Sequence, residues 1–99
     1  MHQHGLMFAP SRLVEIRTAL GFSQEAMAHL LGVSFATVNR WENRHSSPTG
    51  AVLEVYRALD TALRAGRSAK DIVGNTPRDP GRQLHRIFQL AYGGDDAGG

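Results

Sequence analysis

The side chains equipped for specific recognition gather between Gln24 and Thr49. Arg40 carries a planar guanidinium whose N–H fork fits the O6 and N7 acceptors of guanine. Asn39 offers an amide that can read adenine or hold a phosphate oxygen. With Ser34, Phe35, Ala36 and Thr37 they form the outward side of a short helical pattern whose inward side is Val38 and Trp41. The next stretch, Arg44-His45-Ser46-Ser47 followed by Thr49, is basic and hydroxyl-rich, and those residue types suit contacts to phosphate. No comparable set exists for catalysis. Ser, His and Asp are all present, but in no nucleophile elbow or ordered catalytic arrangement, and there is no phosphate-binding loop. His2 and His4 form an H-x-H pair with no further ligand nearby, and His29, His45 and His85 are widely separated. No metal site and no cofactor is therefore expected.

Two short helical patterns must position this set. The first runs from Gln24 to Leu31, with Met27, Ala28, Leu30 and Leu31 on its apolar side. The second runs from Phe35 to about Asn43. Between them stands Gly32-Val33-Ser34. A Gly stops one helix and a Ser N-cap starts the next two residues later, so the chain must turn sharply. Two helices at a steep angle across such a turn make a helix-turn-helix, a unit whose second helix can lie in the DNA major groove.

The chain has 99 residues, of which 41% are hydrophobic, enough for one small packed domain. The absence of cysteine excludes disulfides, Cys-based zinc fingers and a thiol nucleophile. No apolar run approaches the ~20 residues of a membrane span, and the first residues do not read as a signal peptide. The expected compartment is the cytoplasm, in association with the nucleoid. The formal charge is +2, and +4 once Asp95 and Asp96 near the end are set aside. Ten of the eleven basic residues are Arg, a bias that GC-rich coding would also produce, so charge alone says little about partners.

The remaining segments read as further helices. Pro10-Ser11 opens one over Arg12 to Leu20, with Leu13, Ile16 and Leu20 inward and Gly21 as its stop. Ser23 caps the helix that follows, and Glu25 sits in its positive first turn. Thr49 caps a longer helix, about Gly50 to Ala65, with a stripe of Val52, Leu53, Tyr56, Leu59 and Leu63. Ser68 and Asp71 resemble a capping box for a short helix over Ala69 to Val73. Residues 74–81 read as a loop, and a last helix over about Arg82 to Tyr92 carries Leu84, Ile87, Phe88 and Ala91 on one face. This divides the chain into a flexible arm (1–9), a helix-turn-helix domain (10–66), a helical extension (67–92) and a disordered tail (93–99). The extension either completes the core or forms a dimer surface, with Tyr56, Ile87, Phe88 and Tyr92 as candidate subunit contacts.

The stretches L-V-E-I-R-T-A-L-G-F-S-Q and A-H-L-L-G-V-S-F-A-T-V-N-R-W-E-N, followed by Pro48, resemble the lambda-repressor and Cro type of helix-turn-helix domain, the XRE family. The resemblance covers about Leu13 to Leu63. It implies an all-α fold, a five- to six-helix lambda-repressor-like domain with an extra C-terminal helix. It implies that Arg17 pairs with Glu42. It implies base contacts from Phe35, Ala36, Thr37 and Arg40, with Asn39 beside them. Backbone contacts would come from Gln24, Ser34, Arg44, His45, Ser46, Ser47 and Thr49, and Gln24 can also brace the recognition helix. Phe35 is unusual at its position: it either meets a thymine methyl or packs against a partner or a neighbouring helix. Family members often carry Gly where this chain has Arg44, so Asn43 or Arg44 must take up the helix stop.

The expected function is sequence-specific binding of double-stranded DNA by a homodimer acting as a transcriptional regulator, specifically a repressor on a pseudo-palindromic operator. A phage-type regulator or an autoregulatory antitoxin fits a chain of this size. The alternative is a protein-interaction module that binds a toxin or a polymerase subunit. Neither is an enzyme.

Overall fold

The structure, a computed structural model, describes residues 8–74 and 79–93. These form six helices and no strand: α1 (Pro10–Ala19), α2 (Gln24–Leu31), α3 (Phe35–Glu42), α4 (Gly50–Arg64), α5 (Ala69–Val73) and α6 (Pro80–Tyr92). None is long and apolar enough to cross a membrane.

Local chemistry sets most of the helix starts. Ser23 accepts from the Ala26 N–H, Ser34 from Thr37 and Ser68 from Asp71. The Ser68–Asp71 capping box is complete, because the Asp71 carboxylate also accepts the Ser68 N–H at 3.1 Å. Two helices begin earlier than the apolar pattern predicts. Pro10 opens α1 and Pro80 opens α6, each where a missing N–H costs nothing and a fixed φ favours the first turn. Asp79 then caps α6, accepting the Arg82 N–H. Thr49 stands at the N-cap position of α4, but its side chain makes no capping bond.

The core draws on every helix. Leu13 and Ile16 come from α1, Met27 and Leu30 from α2, Val38 and Trp41 from α3, Ile72 from α5 and Ile87 from α6. α4 lies among them, touching α1 and running along α6, which also meets α5 and α2. Its buried face differs from the predicted stripe. Val55, Tyr56, Ala58, Leu59 and Ala62 are buried, whereas Val52, Leu53 and Leu63 are half-buried. The reason is size. Ala58 and Ala62 lie one turn apart and let neighbouring backbones approach closely, which a pattern weighted toward large side chains overlooks. Leu31 is likewise half-buried rather than buried, and on α6 Gln83 joins Ile87 in the interior while Leu84, Phe88 and Ala91 are partly covered.

The last helix thus packs within the domain. Two of the candidate subunit contacts, Tyr56 and Ile87, are fully buried in the single chain and cannot meet another. Tyr92 is 58% exposed and lies beside Phe88, their ring centres 6.2 Å apart. Phe8, assigned above to a flexible arm, packs on the core with its ring 6.4 Å from that of Tyr56. The rest of the arm (1–7) and the tail from residue 94 lie outside the described residues.

A charged clamp closes α1 on α4. Arg12 donates to Asp60 Oδ1 through Nε and Nη2, and Arg64 Nε donates to Asp60 Oδ2 at 3.0 Å. Burial alone would raise the Asp60 pKa, but the hydrogen bonds from Arg12 and Arg64 outweigh it and hold the carboxyl below its ordinary range. A depressed folded-state pKa stabilises the fold above the unfolded value, near ~4, and that contribution is lost as pH falls through the lower folded value. Asp60→Asn is expected to cost about 1–2 kcal/mol at neutral pH. It should also flatten the loss of stability on acidification below about pH 4. Urea titrations across that range measure both effects, and an unchanged acid-side slope would show that Asp60 does not clamp the fold.

Candidate nucleic-acid interface

The α2–α3 corner is built from backbone chemistry. Gly32 adopts the left-handed conformation, φ 73° and ψ 29°. Its N–H bonds back to the His29 carbonyl at 3.3 Å, and the Val33 N–H reaches Ala28 at 3.0 Å. This pair of bonds satisfies two of the orphan carbonyls at the end of α2. Ser34 then caps α3 at 3.1 Å from the Thr37 N–H, and the Ser34 and Thr37 hydroxyls bond each other at 2.9 Å.

α3 divides into two faces. Val38 is fully buried and Trp41 nearly so, with the Trp41 ring edge-on to Tyr56 at 6.1 Å. On the opposite face Phe35, Ala36 and Arg40 are exposed, and Thr37 and Asn39 are half-covered. Phe35 is 49% exposed, so it does not serve as a core residue of its own chain. Eight residues at ~1.5 Å rise make this helix about 12 Å long, close to the width of the B-DNA major groove.

What fixes the angle of α3 is Glu42, the last residue of the helix. Its side chain is 4% exposed and accepts three hydrogen bonds. Arg17 of α1 donates from Nε to Oε2 at 2.8 Å and from Nη2 to Oε1 at 3.0 Å. Gln24 of α2 donates from Nε2 to Oε1 at 2.9 Å. Arg17 also donates to the Phe22 carbonyl at 2.9 Å, so the same guanidinium holds the α1–α2 connection. The hydrogen bonds to Glu42 raise the Arg17 pKa further, so this partner keeps its charge at any pH the fold survives. Both Arg17 and Gln24 thus act on the recognition helix, and the Gln24 bond brings the start of α2 beside the end of α3.

Sequence reasoning missed Asn43. Its Nδ2 donates to the Asn39 carbonyl at 2.8 Å and to Asn39 Oδ1 at 3.0 Å, orienting the Asn39 amide. The i, i+4 spacing of the two asparagines was the available signal. The helix stop falls to Arg44, which has φ 69° and is the non-glycine residue of positive φ among the described residues. Beyond it His45, Ser46, Ser47 and Thr49 are exposed, and Pro48 is buried, pinning the loop. His29, His45 and His85 are each exposed, and no group of three or more His, Asp or Glu side chains forms a metal cluster among the described residues.

Tyr56, the ring behind Trp41, has a buried hydroxyl with no hydrogen-bond partner. Burial, with a contribution from the Glu42 charge and against that of Arg17, pushes its pKa well up. Leaving a buried hydroxyl unpaired costs about 1–3 kcal/mol. Tyr56→Phe keeps the ring contact and removes that cost, so it is expected to stabilise the fold by about 1 kcal/mol. In the wild type the unfolded chain ionises near pH ~10 while the folded phenol stays neutral, so stability falls above that pH. The Phe variant should lose that alkaline component. Denaturation at pH 7 and pH 10.5 (about half a unit above the unfolded value) measures both, and a destabilised Phe variant would mean the hydroxyl has a partner.

Residues 13–56, spanning α1 to the middle of α4, match the family model described as Helix-turn-helix. No curated protein and no solved structure matches the chain. The match covers the parts of the site from the Arg17 brace to Tyr56 and leaves out α5, α6 and the second half of α4. This segment of the chain is thus similar to the helix-turn-helix domains of the lambda-repressor-like, XRE type, a family of DNA-binding regulators.

Proposed function

We propose that the protein is a sequence-specific regulator of transcription that binds a pseudo-palindromic operator as a homodimer and represses from it, in the cytoplasm on the nucleoid. The observation that carries this reading is the seating of α3. Val38 and Trp41 anchor it, Glu42 ties it to two other helices, and Phe35, Ala36 and Arg40 stand exposed on the side left free. A rigidly held helix with an exposed Arg is what major-groove readout requires.

In this reading Arg40 bonds guanine and Phe35 and Ala36 meet thymine methyl groups. The exposure of Phe35 supports a partner outside its own core. Thr37 joins them with a hydroxyl held by Ser34. Asn39 reads adenine or holds a phosphate, its amide oriented by the bond from Asn43. Gln24, Ser34, Arg44, His45, Ser46, Ser47 and Thr49 set the register on the backbone, with Gln24 acting chiefly through Glu42. Phe88 and Tyr92 supply the contact between protomers, as the two aromatic side chains of α6, one half-buried and the other largely exposed.

Selection of bound duplexes from a random pool by the full-length chain tests the function. Recovery of one motif, in two half-sites about 34–36 Å apart, is expected, and recovery of unrelated sequences would sink the reading. On the selected duplex Arg40→Ala should cost about 1–3 kcal/mol and relax the preference at one base pair. Replacing single thymines by uracil should weaken the wild type, and at the thymine that Phe35 meets it should leave Phe35→Ala unaffected. Equal losses in both proteins would assign Phe35 elsewhere.

A further inference from the structure

The chain closes four of its helices with one device, and one of the four is built from the wrong residue. After α1, α2, α3 and α4 a residue of positive φ is followed by two reverse hydrogen bonds. At Gly21 they run from Gly21 to Thr18 and from Phe22 to Arg17, and at Gly32 from Gly32 to His29 and from Val33 to Ala28. At Gly66 they run from Gly66 to Leu63 and from Arg67 to Ala62. The fourth corner has the same bonds, Arg44 to Trp41 at 3.4 Å and His45 to Arg40 at 2.9 Å, with φ 69° against 76°, 73° and 88° at the glycines. Three corners use the residue that adopts this conformation freely, and the fourth uses a bulky cation that does not.

Nothing inside the fold compensates for it. Arg44 is exposed, and among the described residues its side chain enters no hydrogen bond or ion pair. The nearest acid in sequence, Glu42, is already taken by Arg17 and Gln24. If only a non-glycine were needed, Asn would tolerate the conformation better. A strained residue kept without an internal return points to a role outside the molecule.

We propose that Arg44 is a positioning cation that exchanges fold stability for DNA affinity: its left-handed backbone holds the guanidinium at the end of the recognition helix, against a phosphate of the bound duplex. This rests on the DNA-binding reading above and adds to it that the corner is destabilised for the sake of the contact. Because α2 begins beside the end of α3, through the Gln24–Glu42 bond, the cation stands with the start of α2 at one end of the interface. The contact is to phosphate, so it is blind to sequence.

The test uses the full chain, a duplex of about 30 base pairs recovered from the random pool, a length that spans two half-sites, and an unselected duplex of the same length. Arg44→Gly should raise the melting midpoint by about 3–5 °C. It should also weaken binding to both duplexes by roughly eightfold at 0.1 M salt, with the slope of log K against log salt less steep by about 0.9. Arg44→Lys keeps charge and strain, so its midpoint should match the wild type and its affinity stay within about threefold. A Gly variant with no rise in midpoint would overturn the proposal, and so would one that binds as tightly as wild type. Loss confined to the selected duplex would also overturn it, by making Arg44 a reader of bases. If the wild type binds neither duplex, the DNA-binding reading fails and carries this one with it, whereas wild-type binding with an unaffected Gly variant removes this one alone.

Discussion

The geometry of this protein's outer face depends on one carboxylate. Glu42 is nearly buried at the end of α3 and is held by Arg17 from α1 and Gln24 from α2. A buried charge of this kind adds little net stability, because desolvation offsets the attraction, but removing either partner leaves the other stranded. Its effect is on direction. With the carboxylate satisfied by a bidentate Arg fork, α3 has one orientation relative to α1 and α2, and the side chains opposite Val38 and Trp41 have one presentation. The hydrophobic contacts could be met by several tilts of an eight-residue helix, and the three directed bonds cannot.

Around that point the domain is economical. Four corners use the same pair of reverse hydrogen bonds, and the short helices between them bury one or two large side chains each. α4 gathers these contributions, and the Arg12–Asp60–Arg64 clamp fixes it to α1. Two features of the domain run against its stability. Tyr56 stands behind Trp41 with an unpaired hydroxyl, and Arg44 occupies a corner that suits glycine. Both lie against or beside the recognition helix, where requirements other than stability act.

α6 gives the domain a feature that a bare helix-turn-helix lacks. Ile87 and Gln83 enter the core, and Arg86 Nε donates to the Asp71 carbonyl at 2.6 Å, tying α6 to α5. The helix is therefore part of the folded unit rather than an appendage. Its outer end, with Phe88 and Tyr92, is the part left with unused apolar surface.

The sequence by itself determined the elements. Gly and Ser punctuation and the spacing of Leu, Ile, Val and Trp located α2 and α5 to the residue and the others within about two residues, because capping and amphipathicity are local. The outward set on α3 was legible for the same reason, since Val38 and Trp41 fix which side faces in. Only the tertiary structure decided the rest. It chose Ala58 and Ala62 over larger neighbours for the buried face of α4, and it buried Tyr56 and Ile87 within one chain, because burial depends on how helices distant in sequence cross. It brought Arg17 and Gln24 onto one carboxylate, where the sequence offered only a family resemblance. And it assigned the left-handed corner to Arg44 rather than Asn43, because the buried Pro48 and the return into α4 fix where the chain must reverse.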